Sequence, residues 1–244
     1  MSTNEGRVAV VTGSTKRLGL AIARRLAHEG YLLVLNYRED TAAAAAAIAE
    51  LRPRHPELVA IQADVSTPAG IERLIRESQH VLGGIDLWVN NVGPFVPKPL
   101  AETSDEEWCG MVDGNLASVF YSMNRVVPLM RAQGGGVIIN IGSLNAEVPR
   151  GAPNTAAYNA LKTAVVVLTR SVARSEGQYG IRANVVNPGM VDTAGVDPER
   201  IVAQTPLRRL IQPDEVAAAV AWLASDEARA ISGEVINVSG GLWV

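Results

Sequence analysis

Tyr158 and Lys162 stand four residues apart in the run Tyr158-Asn159-Ala160-Leu161-Lys162. On a helix, that spacing places a phenol and an ammonium on one face, one turn apart. A free tyrosine has a pKa of about 10, too high for it to exchange protons readily at neutral pH. A neighbouring ammonium stabilises the phenolate and lowers that value, so the pair is a candidate for general acid–base work. Alone, such a pair is usually structural. Its weight depends on what surrounds it.

A second chemical signal lies near the N-terminus. Thr12-Gly13-Ser14-Thr15-Lys16-Arg17-Leu18-Gly19 joins an aliphatic run to a helical one. In such a loop, backbone N–H groups and the positive end of the helix can meet a pyrophosphate. Gly13 allows a tight turn, and Gly19 allows close packing of helix on sheet. The remaining reactive side chains offer less. His28, His55 and His80 are scattered without ligand spacing, so no metal site is expected. Cys109 is the single cysteine, in a helical stretch, and is expected to be a small packed side chain.

The elements that must position these groups follow from periodicity. Strands are expected at Val8–Val11, Tyr31–Leu35, Leu58–Gln62, Ile85–Val89, Gly136–Ile141, Ile181–Val186 and Glu234–Val238. Helices are expected at Leu18–His28, Thr41–Leu51, Pro68–Val81, Ser104 to about Met130, Ala156–Glu176 and Pro213–Ala224. Continuously apolar strands separated by crossover helices specify a parallel sheet covered on both faces. The expectation is an α/β fold: a single doubly wound, seven-stranded domain over residues 1–244, with no linker or repeat dividing it.

The motifs together resemble the short-chain dehydrogenase/reductase family along nearly the whole chain. The first loop is similar to its Thr-Gly-x-x-x-Gly-x-Gly fingerprint, with Arg17 where the middle glycine usually stands; pteridine reductases of the family carry a similar Lys-Arg-Leu-Gly loop. Asp64-Val65 resembles the adenine-contacting pair. Asn90-Asn91-Val92-Gly93 resembles Asn-Asn-Ala-Gly. Asn115, Ser143 in Asn140-Ile141-Gly142-Ser143, and Pro188-Gly189-Met190-Val191-Asp192-Thr193 complete the family's order. Ala194–Leu210, after that last run, falls where the family usually carries a mobile lid.

The resemblance implies roles. Tyr158 would be the general acid toward a substrate carbonyl oxygen, Ser143 would polarise that oxygen, Lys162 would lower the tyrosine pKa and bind the nicotinamide ribose, and Asn115 would hold a water linking the lysine to solvent. The cofactor-binding set it implies is Gly13, Ser14, Arg17, Leu18, Gly19, Asn36, Tyr37, Arg38, Asp64, Val65, Asn91, Gly93, Tyr158, Lys162, Pro188, Gly189, Val191 and Thr193. Enzymes using NAD usually place an acid about 20 residues beyond the glycines to hold the ribose 2′-hydroxyl. Here Asn36-Tyr37-Arg38 stands there, and Arg38 and Arg17 would attract a 2′-phosphate, so NADPH/NADP+ is the expected cofactor. Ser143 and Tyr158 are 15 residues apart, longer than the family pattern, and the extra length falls in Leu144–Ala157 beside the expected substrate.

The reaction so implied is reduction of a ketone to a secondary alcohol, with motifs nearest those of bacterial 3-oxoacyl-carrier-protein reductases and hence a carrier-protein or CoA thioester, or another small carbonyl compound, as substrate. Arg208 and Arg209 could meet an acidic carrier protein or be a solvated pair. Alternatives are a dihydropterin reductase, which usually carries an aspartate where Ser143 stands, and a non-catalytic dinucleotide-binding member. The family's habits imply a homotetramer. Bulk properties agree with a cytoplasmic enzyme. Against 22 basic residues stand 25 acidic ones, for a formal charge of -3, with no basic stretch to suggest nucleic acid. No apolar run is long enough for a membrane helix, residues 1–7 do not read as a signal peptide, and one cysteine suits a reducing compartment.

Overall fold

The β-branched run Val8–Val11 alternates its contacts strictly. Ala9 and Val11 join one buried cluster, and Val8 and Val10 join the other. A strand does this when both faces of its sheet are covered. In the computed structural model, which describes residues 6–149, 151–191 and 198–242, the strands are β1 Val8–Val11, β2 Leu32–Tyr37, β3 Val59–Gln62, β4 Leu87–Asn90, β5 Gly136–Ile141, β6 Ile181–Pro188 and β7 Val235–Val238. They form one parallel sheet in the order β3-β2-β1-β4-β5-β6-β7.

The helices are α1 Arg17–His28, α2 Thr41–Leu51, α3 Pro68–Leu82, α4 Asp105–Val112, α5 Ser118–Gln133, α6 Ala156–Glu176, α7 Pro198–Gln204 and α8 Pro213–Ala224. Ile22 and Leu26 of α1 and Val216 and Val220 of α8 cover one face of the sheet. Ile71 and Leu74 of α3, Val126 and Met130 of α5, and Val165 of α6 cover the other, around the fully buried Trp88. Each such side chain contributes about 1.5–3 kcal/mol by leaving water.

The order reverses between β1 and β4, which pair directly. Crossovers from these strands leave in opposite directions, and in such folds ligands bind outside the strands' C-terminal ends at the reversal. A buried polar network stiffens its floor. Asn90 Oδ1 accepts from Trp88 Nε1 and Ser122 Oγ, each at 2.8 Å. Asn90 Nδ2 donates to Asn140 Oδ1, and Asn140 Nδ2 to Thr169 Oγ1, again at 2.8 Å. These bonds join β4, β5, α5 and α6, the elements that carry most of the expected site. A satisfied buried network of this kind fixes one arrangement.

Three features differ from the sequence reading. The helix capped by Ser104, whose hydroxyl and Glu107 form a capping box, does not run evenly to Met130: a π segment, Asp113–Ala117, interrupts it. Cys109 is exposed, not packed, because α4 buries Met111 and Cys109 lies about 200° round the helix from it. A further helix, α7, lies within the expected lid segment 194–210. Among the described residues, no helix is long and apolar enough to cross a membrane.

Candidate active site

The loop after β1 is strapped down from beneath. Gly13 N donates to Asn36 Oδ1 (3.1 Å), Ser14 N to Asn36 O (2.9 Å), and Asn36 N to Ser14 Oγ (3.0 Å). Asn36 Nδ2 is held by the Ala63 and Ile61 carbonyls. Asn91 Nδ2 donates to Thr12 O (3.0 Å) and to Gly13 O (3.3 Å). The side chains of Asn36, Asn91 and Ser14, expected at the cofactor, therefore shape the loop that would receive it. Val65 is likewise buried in the core. Asp64 Oδ1 accepts from Ser66 N and Oγ.

Above these straps the N-terminus of α1 is open. No side chain caps it and no acid sits in its first turn, in contrast to α4 with its capping box and three acids. A Cβ on Gly19 would overlap Gly13 O, so the helix can approach the loop this closely only as glycine. Arg17 holds φ 49, the left-handed region that a glycine would occupy without strain. Its side chain is exposed. Arg38 is exposed too, paired with Glu39 at 3.0 Å, an ion pair of little net worth that a phosphate could replace. Leu18 packs against the core; Tyr37 is half-buried at the end of β2. An open helix end, two close glycines and two exposed guanidiniums at the switch point fit a phosphorylated dinucleotide.

The catalytic candidates converge from four elements. Tyr158 and Lys162 occupy the first turns of α6. Ser143 follows β5, and its hydroxyl is near enough to the Tyr158 phenol to act on its protonation. Lys162 is 3 % exposed and its Nζ donates to Ile141 O at 2.9 Å, the last residue of β5; Nζ lies 5.7 Å from the Tyr158 ring centroid. Asn115 sits in the π segment, where its Nδ2 donates to Met111 O at 3.1 Å and to Pro94 O at 2.8 Å. The side chain thus takes a helical carbonyl, which accounts for the widened turn. Its Oδ1 is buried with no hydrogen-bond partner among the described residues. Gly93 lies between: a Cβ there would overlap Asn115 Oδ1 and come within 3.1 Å of Lys162 Nζ.

Burial governs the protonation of both groups. It pushes the Tyr158 phenol up to about 12, with the Ser143 hydrogen bond acting against it, and pushes the Lys162 ammonium down to about 8. The expected lowering of the tyrosine by the lysine is not met here: desolvation sets the direction, and the opposing influence comes from Ser143. At neutral pH the phenol therefore holds its proton, which is the acid form that a reduction needs.

Pro188 ends β6, Gly189 packs against Ser239, and Val191 bridges to Ile211. Thr193 lies outside the described residues. Phe95 was not singled out in the sequence, yet its ring meets Tyr158 edge-on at 4.9 Å while 51 % exposed; an aromatic directly after the Asn-Asn-Val-Gly-Pro run was the available signal. Arg209 forms a two-pronged pair with Glu215 at 2.6 and 2.7 Å, and Arg208 donates to Ala203 O. Both arginines are engaged within the chain. Among the described residues no cluster could hold a metal ion.

Comparison with known proteins agrees with this geometry. The family model described as enoyl-(acyl carrier protein) reductase matches residues 13–243. The chain is 37 % identical to 3beta-hydroxysteroid dehydrogenase 1 of Eggerthella lenta, over 98 % of this chain and 94 % of that one. It is 36 % identical to the 3-oxoacyl-[acyl-carrier-protein] reductase of Staphylococcus aureus, over 97 % and 98 %. The crystal structure of a blue fluorescent protein from a metagenomic library, in complex with NADPH, superposes with a TM-score of 0.93 at 34 % identity, covering all of both chains. With its strand order, its Ser–Tyr–Lys cluster and these likenesses, the chain belongs to the enoyl-(acyl carrier protein) reductase family model's group within the short-chain dehydrogenase/reductase oxidoreductases.

Proposed function

We propose that the protein is an NADPH-dependent reductase that converts a ketone to a secondary alcohol. The observation that carries this is the convergence of the Ser143 hydroxyl and the Tyr158 phenol beside the buried Lys162. A substrate carbonyl oxygen entering between the two hydroxyls would accept from both. Ser143 would hold and polarise it, and Tyr158 would pass its phenolic proton to the oxygen as the alcohol forms. Lys162, ionised below about pH 8, would offset the phenolate left behind. The unpaired Asn115 Oδ1 supports the reading in which a water there returns the proton from solvent. Bound at the open end of α1, NADPH supplies the hydride, and Arg17 and Arg38 would select its 2′-phosphate.

The substrate class favoured by the sequence motifs is a 3-oxoacyl thioester, which the reductase of Staphylococcus aureus is named for. Engagement of Arg208 and Arg209 within the chain gives no support to those two as a docking point for an acidic carrier. A cyclic ketone is a second reading. The half-exposed Phe95 ring beside Tyr158 suits a flat ring system, and one relative is named for a steroid. The family resemblance supports a cytoplasmic homotetramer, and exposed Trp108, Phe120 and Val167 on α4, α5 and α6 are available to such an interface.

The test is NADPH oxidation against acetoacetyl thioesters, cyclic and steroid ketones, dihydropterins and simple ketones, with Tyr158→Phe as control. The variant should lose about 10²–10⁴-fold in kcat and keep NADPH binding. Turnover equal to wild type would remove Tyr158 from the acid role.

A further inference from the structure

The long segment after Ser143 is anchored by a carboxylate. Ala146 N donates to Ser143 O at 2.9 Å and Val148 N to Asn145 O at 3.0 Å, with Asn145 at φ 59, so two overlapping turns bring Glu147 back over the ends of β6 and β7. Glu147 Oε2 accepts from Asn187 Nδ2 at 2.8 Å and Oε1 from Asn237 Nδ2 at 2.6 Å. Asn187 Nδ2 also donates to Asn237 Oδ1 at 3.1 Å. Asn187 and Asn237 are register partners of β6 and β7. The three side chains therefore close a ring in which every amide orientation is determined. Turning Asn187 over would set its oxygen against a carboxylate and a second carbonyl.

The ring reaches the reaction centre through Asn187, which is 0 % exposed. Its Oδ1 lies so close to Gly142 that a Cβ there would overlap it, and Gly142 N donates to Val186 O at 2.8 Å. Gly142 precedes Ser143. A shift of Asn187 would move the backbone from which the Ser143 hydroxyl projects.

We infer that Glu147 is a positioning residue: by clamping Asn187 and Asn237 it fixes the Gly142–Ser143 backbone and so aims the Ser143 hydroxyl at Tyr158. This rests on the proposed role of Ser143. A carboxylate is required because both of its partners present N–H groups; an amide would point a donor at one of them.

The test is a compensated exchange. Glu147→Gln should lower kcat about tenfold or more, with the NADPH dissociation constant within about twofold of wild type. Adding Asn237→Asp restores the ring, since the amide introduced by the first change can accept from Asn187 and donate to the carboxylate introduced by the second. E147Q/N237D should therefore recover most of kcat. The inference is overturned by wild-type kcat in Glu147→Gln, by a loss confined to NADPH affinity, or by a double variant no better than the single. Ser143→Ala, measured alongside, separates the two readings. If it loses kcat and Glu147→Gln does not, the clamp fails alone. If it keeps kcat, the role of Ser143 fails, and the clamp is judged by amide hydrogen exchange over residues 142–148, which Glu147→Gln should speed and the double variant restore; unchanged exchange overturns it.

Discussion

Asn115 and Lys162 meet at a point that a methyl group on Gly93 would fill: it would overlap Asn115 Oδ1 and stand 3.1 Å from Lys162 Nζ. The amide comes from the π segment, the ammonium from α6, and the glycine from the loop after β4. Their close approach is what the proposed proton path needs, and one added methyl would force it apart.

Gly93→Ala should therefore lower kcat by about 10²-fold, with a much smaller change in NADPH dissociation constant. Steady-state kinetics and a fluorescence titration measure the two. A wild-type kcat would show that this close approach has no part in turnover.

The pH profile should carry the mark of Lys162. Its ammonium discharges near pH 8 in the free protein because burial disfavours the charge. kcat/KM for NADPH, which reports groups of the free enzyme, should be level around pH 6–7 and fall as pH rises through about 8. A profile level to about pH 10 would contradict a role for the charged lysine.

The same burial predicts a conflict between activity and stability. Lys162 is lowered from 10.5 to about 8 on folding, so between those values the unfolded chain binds the extra proton and stability rises with pH. Below about 8 the cost of the buried charge is fully present. Lys162→Met should abolish turnover yet stabilise the fold at about pH 7, by a gain on the order of 1–2 kcal/mol after the lost bond to Ile141 O. The gain should shrink toward pH 10.5, the lysine's value outside the fold. Thermal melts at about pH 7 and about pH 10 measure it, and a variant less stable at the lower pH than at the higher, relative to wild type, runs against the argument.

Arg17 in the left-handed region should behave the opposite way to an ordinary surface arginine. Arg17→Gly should relieve about 1 kcal/mol of strain, raising the melting temperature by about 2–4 °C, while weakening NADPH binding. A lower melting temperature with unchanged affinity would mean that the side chain, not the backbone, dominates at this position.

Much of the site was legible because its chemistry sits at strand ends, and strand ends follow from runs such as Val8–Val11 and Gly136–Ile141. Helical spacing put Tyr158 and Lys162 on one face, and the surrounding motifs gave the pair its weight. What escaped depended on contacts between distant segments. Nothing local tells that Asn36 straps the first loop, that burial raises Tyr158, or that Glu147 reaches Asn187 and Asn237, 40 and 90 residues away. Cys109 was misjudged because free cysteines are usually buried, and which face of α4 turns outward depends on what Met111 packs against.

The widened turn at Asp113–Ala117 also has an outward effect. It absorbs one residue without advancing the helix, so Trp108 and Phe120, which an unbroken α-helix would set about 120° apart, fall within about 20° of each other. Both are exposed. The irregularity that sends Asn115 inward thus lines up two aromatic rings along the outside of the helix, and removing one residue there would scatter both alignments at once.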